Sequence, residues 1–118
     1  MDEESKKLTL TNKVILSDGK KCKLVQLSNI RYFESSGNYA KVYFNEGNIL
    51  IYRSLNQLVL RLSDEYFFQA NRRHIINLTH IKDIQLLKSA IYAVELTCGK
   101  KVEISRRRSQ RFRELLSL

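Results

Sequence analysis

Asn71, Arg72 and Arg73 stand in a row inside the stretch Phe67 to Leu78. Asn and Arg side chains meet adenine and guanine edges through paired hydrogen bonds, and Arg also grips phosphate. Apolar pairs bracket the triplet, Phe67-Phe68 before it and Ile75-Ile76 after it. Aromatic and β-branched residues suit a pleated, buried surface, so each pair reads as a short buried strand. The polar triplet must then turn out of the core, as a presented recognition loop. A solvated turn between two strands would carry the same residues, and the triplet alone leaves both readings open.

A second basic group lies near the C-terminus, in Ser105-Arg106-Arg107-Arg108-Ser109-Gln110-Arg111-Phe112. Ser105 suits a helix N-cap. Phe112, Leu115 and Leu116 recur at helical spacing. The first turn of this helix would hold Arg106, Arg107 and Arg108, at the end that prefers Asp or Glu. Each misplaced charge costs about 0.3–1 kcal/mol when exposed. The same end offers backbone donors that attract phosphate. The cluster therefore harms the free helix and complements a polyanion, although a solvated basic face remains the plainer alternative. Tyr39, Lys41 and Tyr43 form a weaker signal. They share one strand face, where they could meet nucleic acid or simply pair across a sheet.

Other chemistry finds no support. His74 and His80 are isolated, each reading as a structural histidine at a strand end, and no metal ligand set accompanies them. The chain has no phosphate-cradling glycine loop and no nucleophile motif. Glu34, Asp83, Glu95 and Glu103 are scattered. Cys22 and Cys98 lack metal-ligand spacing and read as two buried, reduced thiols of a cytoplasmic protein. No enzyme, metal or cofactor is expected.

The elements that must position these residues follow from length and composition. The chain has 118 residues, 43% of them hydrophobic, which fits one ordinary domain with one core. Lys and Arg outnumber Asp and Glu by 21 to 12, a net charge of +9 that attracts polyanions. No apolar run approaches the roughly 18 residues of a membrane span. Residues 1–12 read as a charged lead-in or linker, and 13–118 as the domain. With no proline in the chain, glycine and asparagine must make the turns.

Val14-Ile15-Leu16, then Asp18-Gly19, then Cys22 and Leu24 form a hairpin pattern. Leu27 to Ile30 reads as a brief turn. Strands are expected at 30–34, 39–44, 49–52, 81–87, 90–96 and 102–104. Ser54 and Gln57 have capping-box spacing ahead of a stripe of Leu55, Leu58, Val59 and Leu62, which predicts one packing helix. Strands do not alternate with long helices, so a parallel α/β fold is disfavoured. The fold class is mostly β, with one short packing helix and a short C-terminal helix.

With these segments in view, the chain resembles the LytTR-type DNA-binding domain, the effector module of many bacterial response regulators. The resemblance runs from about Val14 to the C-terminus. It is carried by Ile30-Arg31-Tyr32-Phe33-Glu34, Gly37-Asn38-Tyr39-Ala40-Lys41-Val42 and Ser54-Leu55-Asn56-Gln57-Leu58, then by Phe68 to Asn77 and Ser105-Arg106-Arg107. It implies an elongated, multi-stranded antiparallel fold whose loops and short C-terminal segment enter successive major grooves. Three contact regions then fall on Asn38-Tyr39, on Asn71-Arg72-Arg73 and on Arg106-Arg107. The central loop departs from the common His-Arg-Ser-aromatic pattern. Asn71 takes the His place, Arg73 the Ser place and His74 the aromatic place, while Arg72 is retained.

The resemblance implies sequence-specific duplex DNA binding for transcriptional control, on paired direct repeats, downstream of a receiver domain and its sensor kinase. The isolated domain, which has no heptad pattern, is expected to be a cytoplasmic monomer without membrane contact. Two alternatives remain at this stage. One is an RNA-binding β module, for which no RNP-like aromatic motif is present. The other is a basic module that docks an acidic protein.

Overall fold

A computed structural model describes residues 6–118. Among the described residues, ten strands form three antiparallel sheets. Strands β1 (Lys13–Ser17) and β2 (Cys22–Gln26) make a hairpin. Its loop is closed by Asp18, whose Oδ1 accepts from the Lys20 and Lys21 amides, each at 2.8 Å.

The central sheet has the order β5-β4-β3-β7-β6. Its members are β3 (Ile30–Ser36), β4 (Tyr39–Phe44), β5 (Gly47–Ile51), β6 (Phe67–Asn71) and β7 (His74–Asn77). The third sheet joins β8 (Ile81–Leu86), β9 (Tyr92–Leu96) and β10 (Lys101–Glu103). Leu27–Asn29 forms the expected brief turn as a single 3-10 turn.

Helix α1 (Leu55–Arg61) opens on the expected capping box. The Ser54 amide donates to Gln57 Oε1 at 2.9 Å, and the Gln57 amide donates to Ser54 Oγ at 3.2 Å. The stripe is only partly buried: Leu55 and Leu62 are enclosed, while Val59 is exposed. Helix α2 (Arg106–Leu116) packs Phe112 into the protein against Phe68 and Tyr92. Ser105 occupies its N-cap position, but its side chain makes no capping hydrogen bond.

The central sheet is covered on both faces, which explains the apolar pairs. Side chains alternate across a strand, so the members of a pair face opposite ways. Phe67 and Ile75 join the core built with Leu16, Phe33, Val42 and Leu55. Phe68 and Ile76 join a second core with Val94, Leu96, Ile104 and Phe112. Each such side chain contributes about 1.5–3 kcal/mol when fully buried. The two cores also hold β7 rigidly below the polar turn.

Of the expected lead-in, residues 1–5 lie outside the described residues. Leu8 bridges Leu62 as an isolated parallel pair, and Leu8 and Leu10 pack on the first core. One expectation is overturned. Cys22 and Cys98 are free but exposed, not buried. Cys22 starts an edge strand and Cys98 lies in the β9–β10 turn, so neither position faces a core.

Candidate nucleic-acid interface

Arg72 and Arg73 form the turn between β6 and β7, and both are exposed. The turn is anchored by its neighbours. Asn71 Nδ2 donates to the Glu103 carbonyl at 2.7 Å, and Asn71 Oδ1 accepts from the Arg73 amide at 2.8 Å. The Ser35 amide donates to the Arg73 carbonyl at 2.9 Å. The turn is thus fixed to the end of β3 on one side and to the end of β10 on the other.

The first expected region sits beside it. Gly37 and Asn38 make the β3–β4 turn, and Gly37 takes a left-handed φ of 61°, a conformation glycine adopts without a steric cost. Asn38 is exposed, and Tyr39 is 47% exposed with its ring 5.2 Å from that of Tyr52. An open concavity lined by Glu34, Ser36, Gly37, Lys41, Arg72 and Arg73 separates this turn from the central one. The Tyr-Lys-Tyr row does not form one free face. Tyr43 stacks on Tyr32 with centroids 4.3 Å apart, and its hydroxyl donates to Glu34 at 3.2 Å. Both tyrosines pack into or against the second core, which leaves Tyr39 as the available ring.

The third region is the first turn of α2. The Ser105 amide donates to the Ala70 carbonyl at 2.9 Å, so the helix starts next to the central turn. Arg106 and Arg107 are exposed, whereas Arg108 is half-buried and donates to the Gln69 carbonyl at 3.4 Å. Burial, and then the charge of Arg107, pull the Arg108 guanidinium below its ordinary pKa. No acid occupies this first turn. The three arginines, identical in type, therefore divide into two that face solvent and one that braces β6.

A polar cluster missed in the sequence lies under the central turn. His74 Nε2 is 3.0 Å from Glu34 Oε2, and His74 Nδ1 is 3.1 Å from Asn71 Oδ1. Lys100 Nζ lies 3.9 Å from Glu34 and 5.6 Å from the Tyr32 ring. Glu34 and His74 are cross-strand partners on β3 and β7. His80 fills the structural role expected of it, with Nε2 2.8 Å from the Ser28 carbonyl. Among the described residues no group of three or more His, Cys, Asp or Glu could hold a metal ion. No described helix is long and apolar enough to cross a membrane.

The family model for the LytTr DNA-binding domain matches residues 20–117. The chain belongs to the LytTr DNA-binding domain family. A solved LytTr DNA-binding domain from a Bacillus cereus response regulator superposes with a TM-score of 0.81 at 24% identity, covering 90% of this chain and 97% of that one. That likeness concerns the fold. The transcriptional regulatory protein LytR of Staphylococcus aureus (strain N315) is 36% identical over 64 residues, which are 54% of this chain and 26% of LytR. The heme-containing CO-sensing transcriptional regulator RcoM 2 of Paraburkholderia xenovorans is 27% identical over 96 residues, 80% of this chain and 36% of that protein. The alignments span 26% of LytR and 36% of RcoM 2, so this chain matches only part of each regulator's length. The antiparallel, mostly β LytTr fold with its two helices agrees with the architecture expected from the sequence.

Proposed function

We propose that this domain binds duplex DNA in a sequence-specific manner for transcriptional control, as the output domain of a bacterial response regulator, with no catalytic step of its own. The observation that carries the reading is hydrogen-bonded continuity. The Ser35–Arg73, Asn71–Glu103 and Ala70–Ser105 contacts join three polar groups into one surface. Those groups hold Asn38 and Tyr39, then Asn71, Arg72 and Arg73, then Arg106 and Arg107. In this reading Arg72 meets a base edge, Arg106 and Arg107 meet phosphates, and Asn71 shapes the central turn. The net charge of +9 supplies the attraction to the polyanion.

LytR and RcoM 2 are both named as transcriptional regulators, which supports the regulatory part of the reading. The domain, residues 13–118 with a lead-in at 1–12 whose Leu8 and Leu10 pack on its core, acts in the cytoplasm. It is a monomer by itself, occupies paired direct repeats, and takes its signal from an upstream receiver domain.

The test is a titration of duplex DNA in rising salt. With roughly six phosphates neutralised, log affinity falls against log salt with a slope near −5. A slope near zero overturns the reading. RNA of equal length serves as competitor. Equal competition by RNA would favour an RNA-binding module, and indifference to both nucleic acids would favour an acidic protein partner.

A further inference from the structure

Asn71 has no freedom to turn its amide around. Its Nδ2 faces the Glu103 carbonyl at 2.7 Å, and its Oδ1 faces the Arg73 N–H at 2.8 Å. Both partners have fixed polarity, so a flipped amide would set oxygen against oxygen and N–H against N–H. The oxygen must therefore point at His74 Nδ1, 3.1 Å away. On the other side of the ring, His74 Nε2 meets Glu34 Oε2 at 3.0 Å. An ionised carboxylate only accepts. Both ring nitrogens thus face acceptors, and both hydrogen bonds form only when both nitrogens carry protons.

We propose that His74 is a positioning residue for DNA reading, a proton-operated latch. Doubly protonated, it ties Asn71, and with it the Arg72-Arg73 turn, to Glu34. Singly protonated, it can hold only one side. The inference rests on the DNA-binding reading above and assigns His74 no contact with DNA.

The surroundings of the ring set it between the two states. Burial holds the His74 pKa below its ordinary value, Glu34 opposes that, and the charges of Lys100 and Arg73 add to the lowering. Tyr32 from β3 packs near the ring, with centroids 6.1 Å apart, and Tyr43 reaches it only through Glu34. A phosphate arriving at Arg73 offsets one of the repelling charges and so favours the second ring proton. DNA binding and proton uptake are then linked, and each strengthens the other.

The test begins with ring nitrogen NMR of the wild-type domain across pH, free and with a random-pool-selected duplex bound. On acidification, both His74 nitrogens should become protonated, and the Arg73 amide shift should follow the same midpoint. The midpoint should rise when the duplex is bound. Duplex affinity should increase severalfold from about pH 8 to about pH 5.5, approaching the roughly tenfold limit that a one-unit shift in the ring midpoint sets. His74→Phe, which retains His80, should flatten this dependence, and Glu34→Gln should lower the ring midpoint. A ring that keeps one proton across the range in both states, or an Arg73 amide that ignores the ring, overturns the latch. So does His74→Phe with the wild-type pH dependence. If the wild type binds no duplex at any pH, the DNA-binding reading fails on its own, while the free-protein titration still decides whether the ring titrates as a latch.

Discussion

Arg108 donates to the Gln69 carbonyl over 3.4 Å, whereas Arg107, one residue earlier, is exposed. The two should fail differently. Arg107→Ala is expected to weaken specific and random duplexes alike and to shrink the salt slope by about one. Arg108→Ala should instead lower stability by about 0.5–1.5 kcal/mol, through the lost hydrogen bond and the lost packing of its stem. Urea unfolding and DNA titration of both variants separate the roles.

Arg72 sits at the tip of the central turn and makes no side-chain hydrogen bond among the described residues. Arg72→Ala should cost about 1–3 kcal/mol on the preferred site and leave random DNA nearly unaffected, because a base contact carries discrimination. Equal losses on both duplexes would reassign Arg72 to phosphate.

Asn77 is fully buried and joins two strands. Its Nδ2 donates to the Ile30 carbonyl at 2.8 Å, and its Oδ1 accepts from the Thr79 amide at 3.0 Å. Asn77→Ala leaves the Ile30 carbonyl without its buried partner, so a loss of about 1–3 kcal/mol is expected. Ser54→Ala, which removes one half of the capping box, should cost about 1 kcal/mol. Urea midpoints of the two variants, read with unchanged slopes, check both values.

Acid should weaken the fold in two stages. Burial pushes the Glu34 carboxyl up, but hydrogen bonds from His74 and Tyr43 and the nearby charges outweigh it and hold it below the usual range. His74 is lowered chiefly by burial. Both groups therefore bind protons less tightly folded than unfolded. Their stabilisation is present above the unfolded values and is lost as pH falls, first below about 6.5 for His74 and then below about 4.3 for Glu34. Glu34→Gln should remove the lower stage. Unfolding midpoints that rise on acidification below about pH 6 would contradict this sign.

Local signals were readable in the chain. Asp18-Gly19, the Ser54–Gln57 box and the alternation of Ala40, Val42 and Phe44 each depend on neighbours within a few residues, and each forms as expected. The paired phenylalanines and isoleucines correctly marked buried strands, but not the two separate cores they serve. What stayed hidden depends on register between distant strands. Glu34 meets His74 across 40 residues of chain, and Asn71 meets Glu103 across 32. The same cause partly covered Tyr43, which reads as an outward residue on β4 until Tyr32 is set beside it. The cysteines misled because strand-like neighbours say nothing about which face of an edge strand or turn is covered.

The hydrogen bonds that hold the central turn come from Gln69, Asn71, His74 and backbone groups, and none uses the side chain of Arg72. In the DNA-binding reading proposed above, scaffold and reader are thus carried by different residues of the same short segment. A new target sequence can be explored by exchanging Arg72 while the frame beneath it stays intact, as a type-head is swapped on an unchanged carriage. Retargeting by design would start there, and would leave Asn71 and His74 in place.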